Sequence, residues 1–347
     1  MRTKRLSLLA FLGVGSFLFP LVHAFQSVVS RRTSELRATK VTPLPPGLSP
    51  FEKAQAKSLD TLGNFRKLAS ISINKAVADG VRKIEVDFPP FIADNKSQYD
   101  DYDNISELDT NRDWCVQLLP LLKLSNPTWL VLPDDKECEL ASTEWKGKLY
   151  RAAKFTSIRG ACDAVQAPNT KKAWGTSLAE SVNRLQGGDG ILADSSKIDS
   201  LQADDVDSDR FHLVCQPGNG GPVEDWINVE ALHDDSKSIT TCVVNGALDK
   251  VRDGYYPAIF FPALAKTVPF YKSFESVFFA KPIADKGCAG WLFRCYPEPW
   301  QVVLQTPVTG KAGTLTIENS VVLQSATRPS YAQIIKSMVE AAATASK

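Results

Sequence analysis

Asp205, Asp207 and Asp209 stand at the first three ligand positions of a calcium loop, where alternate carboxylates converge on one cation. The pattern then stops: the turn glycine is Arg210, the closing acid is Gln216, and the next residues read as a strand. A solvated acidic loop and no bound metal are expected. The stretch Gln216 to Pro222 (QPGNGGP) lies between an apolar strand and a helical segment, where open α/β sheets hold ligands. Pro217, Gly218, Gly220 and Gly221 there form either a phosphate cradle or a tight structural turn. A P-loop Lys and the GxGxxG spacing are missing, and Glu224 and Asp225 already complement the helix dipole a phosphate would use. No GxSxG elbow occurs. His212, inside an apolar run, reads as a core imidazole, with a Cys and His pair (Cys215 or Cys242) as the nucleophilic alternative; His233 sits near a helix end. Zinc spacing is absent, since the nearest cysteines, Cys288 and Cys295, lie seven positions apart. No catalytic residue, metal or cofactor is therefore expected.

The elements that would position such groups follow from periodicity. Leu62, Phe65, Ala69, Ile73 and Ala76 recur at three- and four-residue spacing, which predicts an amphipathic helix ending at Gly80. Val81 to Phe88 alternates into a strand stopped by Pro89 and Pro90. Ile105 to Leu124 reads as a helix that Pro120 kinks or shortens. Thr128 to Leu132, Phe211 to Cys215 and Ile239 to Val244 are short continuous apolar runs. Strands of that kind are buried on both faces, which is the habit of parallel sheets covered by helices. After about Tyr271 closely spaced strands follow (Ser276 to Lys281, Gly290 to Cys295, Gln301 to Thr306, Leu315 to Leu323). The chain then ends in a helix with Ile334, Ile335, Met338, Val339 and Ala342 as its inner face. The expected fold is α/β: a mainly parallel open sheet flanked by helices, an antiparallel C-terminal meander and a terminal helix. Residues 151–210 hold one or two helices and the acidic loop. The aromatic residues between Tyr255 and Phe279 either fill the core or mark a membrane- or partner-facing patch.

The 347 residues are 44% hydrophobic and 23% charged, which excludes a disordered tail or a coiled coil. Arg2, Lys4 and Arg5 precede an apolar run from Leu6 to Val22 and then His23, Ala24 and Phe25, the form of a signal peptide over residues 1–24. Residues 25–40 are rich in Ser, Thr and Arg with one acid, Glu35, which is transit-peptide composition. Together, with Phe25 directly after the cut, they resemble the bipartite presequence of plastid proteins in algae whose plastids lie inside extra membranes. Pro43, Pro45, Pro46 and Pro50 make a stiff linker, so 25–48 is presequence and linker and 49–347 one domain. Residues 1–40 hold seven Lys/Arg and one acid, leaving 33 basic and 38 acidic residues, about −5. That balance argues against nucleic-acid binding, and no transmembrane segment is expected in the mature chain. An ordinary secreted protein is the alternative, with Asn95 and Asn104 in glycosylation sequons; the odd, sparse cysteines weigh against it.

Three further stretches carry a resemblance: Ala76 to Pro89 (AVADGVRKIEVDFP), Thr241 to Leu248 (TCVVNGAL), and Gly287 to Val302 (GCAGWLFRCYPEPWQV). Together they resemble the DUF1995 family of plastid and cyanobacterial proteins, over roughly residues 50 to 345. Gly246-Ala247 departs from the more usual Asn-Pro after the strand. The resemblance implies a plastid location, in the stroma or peripheral to the thylakoid. It also implies a non-enzymatic auxiliary role in photosystem II or thylakoid complex assembly, with protein partners and no specified reaction. Its most specific motif is Arg294, Tyr296, Pro297 and Trp300. There, Arg294 and Trp300 either bind an anionic group by guanidinium pairing and stacking or, with Glu298 as the carboxylate, serve structure. The alternative function is a ligand-binding or enzymatic α/β domain for a nucleotide or phosphorylated metabolite, with Asn245, Arg294 and the glycine turn as contacts.

Overall fold

The computed structural model describes residues 51, 61–89, 102–145, 153–166, 209–218, 223–309 and 315–345, all within one compact unit, Thr42–Lys347. The expected presequence, most of the acidic loop, Asn95, Gly220 and Gly221 lie outside the described residues.

The first helix, α1 (Thr61–Ala78), buries Phe65, Ala69, Ile73 and Ala76 on one face. It stops where Gly80 takes φ +83°, a conformation glycine adopts without a Cβ penalty. β1 (Lys83–Asp87) follows, then α2 (Tyr102–Leu118), which tightens into a 3₁₀ turn over Leu119–Leu121 with Pro120 at its start. Pro120 therefore ends the helix instead of kinking it, because its ring nitrogen has no proton for the next helical bond.

β2 (Thr128–Leu132) is buried throughout. Asp134 caps α3 (Asp135–Glu144) by accepting the Glu137 N–H at 2.9 Å. β3 (Ala153–Ser157) and α4 (Ile158–Gln166) fill part of the stretch where one or two helices and the acidic loop were expected, so the strand is new there. β4 (Phe211–Cys215), α5 (Glu224–Leu232), β5 (Thr240–Val244), α6 (Leu248–Arg252) and α7 (Pro262–Lys272) complete the alternating part. The meander is β6 (Glu275–Asp285), β7 (Cys288–Cys295), β8 (Trp300–Thr309) and β9 (Leu315–Ser325), closed by α8 (Tyr331–Ala345).

The strands form one sheet in the order β3-β2-β4-β5-β1-β6-β7-β8-β9. Every pairing from β3 to β6 is parallel and every pairing from β6 to β9 antiparallel. This is the mainly parallel open sheet with an antiparallel meander that the apolar runs predict.

Alternation along the strands divides the core. Ile84, Val86, Leu213, Cys215, Cys242 and Val244 pack with α1, α2 and α3 on one face. Trp129, Val131, Val214 and Val243 pack with α4, α5, α6 and α7 on the other. On that second face, Phe279, Leu292, Trp300, Val302 and Leu304 pack under Ile334, Ile335 and Met338 of α8. Val339, expected inside, is 37% exposed, since the inner stripe of α8 is narrower than its apolar sequence. Large side chains buried this way contribute roughly 1.5–3 kcal/mol each. The aromatic stretch divides likewise: Tyr271, Phe274, Phe278 and Phe279 are core, while Tyr255 and Phe260 are exposed.

Candidate functional site

The sheet changes from parallel to antiparallel at β6, and the helices of the second face part there. α6 and α7 cover one side, α8 the other, and between them lies a cleft of about 950 Å³, within the size range of small-molecule sites. Its lining includes Asp249, Asp253 and Glu275 against Arg252, Lys272, Lys281, Arg294 and Arg328, five basic and three acidic groups. Leu292, Trp300 and Ile334 supply its apolar wall.

Glu85 lies against this cleft because β1 alternates: Ile84 and Val86 face α1, so Glu85 faces the other way. At 2% exposure its carboxylate requires a partner. Arg252 Nη1 donates to both of its oxygens, at 3.0 and 2.9 Å, and the Ser276 hydroxyl donates to one. Arg252 Nε in turn donates to the Tyr271 carbonyl at 2.9 Å. A second pair closes the far side, where Arg328 Nη1 and Nη2 donate to the two oxygens of Asp249 at 2.6 and 2.7 Å. Burial works to raise the Asp249 carboxyl, but Arg328 outweighs it and holds the group below the ordinary carboxylate value. Lys281 Nζ stands 3.8 Å from the same carboxylate.

Arg294, on β7, donates from Nη2 to Glu275 at 2.5 Å. Glu275 thus takes the place expected of Glu298, which sits in the β7–β8 turn with its side chain in solvent. The guanidinium lies 5.3 Å from the Trp300 ring, and that of Arg328 lies 5.4 Å from the same ring. Both of the expected partners, Arg294 and Trp300, are therefore in the cleft. Tyr296 is not: it follows the end of β7, packs on the α1 face and donates its hydroxyl to Asp79 at 2.9 Å. Pro297 occupies the exposed turn beside it.

Asp87 ends β1 half-buried. Burial first, then the negative charges of Glu85 and Asp249, push its carboxyl up to about 7, against the pull of Lys281 and Arg328. The nearby arginines already face Glu85, Asp249 and Glu275, and no hydrogen bond to the Asp87 carboxyl is made by the described residues.

The crevice at the ends of β4 and β5 holds the other predicted residues. Asn245 takes φ +49°, a left-handed conformation that Asn tolerates better than most residues. Its Oδ1 accepts the Phe88 N–H at 2.9 Å, and its Nδ2 donates to Asn111 at 2.7 Å. Asn111 donates to Gln216 at 2.6 Å, and Gln216 to Glu107 at 2.9 Å. This chain of amides ties α2 across the strand ends. Pro217 and Gly218 open the glycine turn; the Gly218 N–H donates to Asp225 at 3.0 Å, and a Cβ there would meet the Trp226 ring at 2.4 Å. Trp226 Nε1 donates to the Gly246 carbonyl at 2.9 Å, which locks the turn to the end of β5.

His212 and His233 both serve packing and local hydrogen bonding. His212 faces the side opposite Cys215 and Cys242, since residues alternate along β4 and β5, so no Cys and His pair forms. It stacks on Trp129, accepts from Arg210 Nε at 2.7 Å, and is held well below its usual pKa by burial, then by Arg210 and His233. His233 bridges Thr241 and Asp235. Among the described residues, no cluster of three His, Cys, Asp or Glu suits a metal ion, and no helix is long and apolar enough to cross a membrane.

Glu85, Asp87, Asp249, Arg252 and Arg328 are absent from the sequence-level candidates. One signal for them existed: the strand EVDFP carries two acids on one face of an otherwise buried strand, which requires cations from elsewhere in the chain. Comparison with known proteins gives one result. The family model described as "Domain of unknown function (DUF1995)" matches residues 60–336. No curated protein and no solved structure matches the chain.

Proposed function

The chain belongs to the DUF1995 family, and from that premise and the cleft's geometry we propose that it is a ligand-binding α/β domain whose site is the cleft between α6 and α8. One observation carries this reading. Of the three stretches on which the family resemblance rests, the third lines the cleft with Arg294 and Trp300, the second runs directly into Asp249 and Arg252, which line it too, and the first places Glu85 beneath it, bonded to Arg252. A fold needing only a core would fill that space with apolar side chains, because buried ion pairs are weak stabilisers compared with good packing. Small metabolites of the nucleotide or phosphorylated class are the ligands to test first. A thermal-shift screen of the purified chain against nucleotides, sugar phosphates and neutral metabolites tests the reading. At 100 times its Kd, a ligand contributes about 2.7 kcal/mol and raises the melting temperature measurably. No stabilisation by any of them overturns the reading.

A second reading, that of a plastid auxiliary protein working by contact with photosystem or thylakoid assembly intermediates, is favoured by a separate observation. Tyr255, Ile259 and Phe260, between α6 and α7, are 69%, 83% and 74% exposed. Neighbouring exposed apolar groups of this size are the usual mark of a contact surface. Affinity purification of the tagged chain from isolated plastids tests location and partner together. Substituting Phe260 by Ser removes the captured partner if this surface makes the contact. Normal photosystem content in a deletion strain contradicts the auxiliary role.

A further inference from the structure

We propose that Arg294 and Arg328, gathered around Trp300, form the anion-recognising end of the cleft, and that the ligand is a small organic phosphate carrying more than one phosphoryl charge. The inference rests on the ligand-binding reading and specifies its chemistry.

The argument begins with how each guanidinium is used. Arginine has five N–H donors in a rigid fork. Arg252 is enclosed: Nη1 serves Glu85, Nε serves the Tyr271 carbonyl, and Nη2 is buried. It neutralises Glu85 at the floor of the cleft, with Nη2 buried and without a hydrogen-bond partner among the described residues. Arg294 differs, because Nη2 serves Glu275, Nε is buried, and Nη1 is neither buried without a partner nor hydrogen-bonded to a described residue. Nη1 is the edge that reaches the cleft. Arg328 has both terminal nitrogens on Asp249 and remains 29% exposed along the opposite wall.

The two guanidinium carbons lie 5.3 and 5.4 Å from the centre of one indole ring. They are consequently no more than about 11 Å apart, so one small ligand can reach both, and the charge it must answer is that of several cations at once. Lys281, 57% exposed, adds a third cation on the same wall, and Lys272 a fourth in the lining. Each arginine is held beforehand by a carboxylate and by the indole. Little side-chain entropy is therefore lost when the ligand arrives. Asp253 and Glu275 set the limit of the site: they repel an anion that is not seated on the arginines.

Isothermal titration of the full chain with inorganic pyrophosphate and with sulfate, at constant ionic strength, tests the assignment. Pyrophosphate is expected to bind more tightly than sulfate. Arg294→Gln should weaken pyrophosphate by roughly tenfold or more, the equivalent of one charge-assisted hydrogen bond. Glu275→Gln should act in the opposite direction and tighten it several-fold, since it releases Arg294 Nη2 to the ligand and removes a repelling charge. A purely structural ion pair predicts no such opposed pair of changes. Glu275 is 39% exposed on its side chain, so both variants are expected to fold, and thermal melting checks this. Equal pyrophosphate affinity in wild type and both variants overturns the proposal, as does failure of pyrophosphate to bind or sulfate binding as tightly as pyrophosphate. The ligand-binding reading fails separately, and only if the wider screen, neutral metabolites included, finds no stabilising compound.

Discussion

Replacing Arg252 by Met is the perturbation whose outcome depends most directly on the charge arrangement under the cleft. Met fills a similar volume but removes the guanidinium that donates twice to Glu85 and once to the Tyr271 carbonyl. Glu85 is 2% exposed, and after the substitution the Ser276 hydroxyl is its remaining side-chain donor. Breaking a buried pair from one side costs roughly 3–5 kcal/mol, because the surviving charge stays desolvated. The lost bond to Tyr271 adds about 1 kcal/mol. A total of about 4–6 kcal/mol is a large fraction of the 5–15 kcal/mol typical of a folded domain. Urea unfolding, followed by tryptophan fluorescence with the slope fitted freely, measures it. The double variant Glu85→Gln with Arg252→Met no longer buries an uncompensated charge and should recover at least about 2 kcal/mol of the loss. If the two substitutions add within about 0.5 kcal/mol, the pair is not coupled and the reasoning is refuted.

Other consequences are sharp enough to measure. Asp87, raised to about 7 in the folded chain from an ordinary 3.8, holds its proton in the folded state between these values while the unfolded chain has released it. Its contribution therefore makes stability fall as pH rises from about 4 to about 7 and level off above, with a ceiling near 4 kcal/mol that its contact with water reduces. Asp87→Asn should remove this slope, stabilising at pH 8 with little effect at pH 4; urea midpoints of both proteins across that range that run parallel would contradict it. Gly290→Ala places a Cβ 2.0 Å from the Val303 carbonyl oxygen and 3.0 Å from Met338 Cε. It should cost at least about 2 kcal/mol by parting β7 from β8 under α8, and a melting temperature equal to wild type would show that the contact yields. Gly218→Ala must meet the Trp226 ring and adopt φ +75°, so a loss of about 1–3 kcal/mol in the same assay is expected.

What was legible beforehand divides along physical lines. β2 and β4, read from TWLVL and FHLVC, are buried at all five positions, because a strand covered on both faces has to be apolar throughout. Gly80 likewise located the end of α1. β3 was not legible: AKFTS lies at the sheet edge with three half-buried positions, so neither alternation nor an apolar run marks it. α3, DKECELASTE, buries little and is held by its cap and by Arg112, which reaches Glu137 from α2 at 2.8 Å.

The site was half legible for a related reason. Arg294 and Trp300 stand six positions apart at the two ends of one turn, so their meeting follows from local geometry. Their carboxylate does not: Glu275 reaches Arg294 across a strand pair, and the nearer Glu298 is carried off by the turn. Arg252 and Glu85 are 167 residues apart and become neighbours only because β5 returns beside β1. Tyr296 shows the limit of reading a motif as a unit, since the end of β7 sends it to the opposite face from Arg294.

The most direct measurement of the central claim is ligand-induced stabilisation in wild type against a chain whose cleft is filled. Ala326 lines the cleft from an exposed position on the connection between β9 and α8, so Ala326→Trp occupies the space without entering the core. The account predicts that the best phosphorylated compound from the screen raises the melting temperature of wild type and leaves the Trp variant unchanged, while the two proteins melt alike without ligand. Equal stabilisation of both proteins would place the ligand elsewhere and contradict the account.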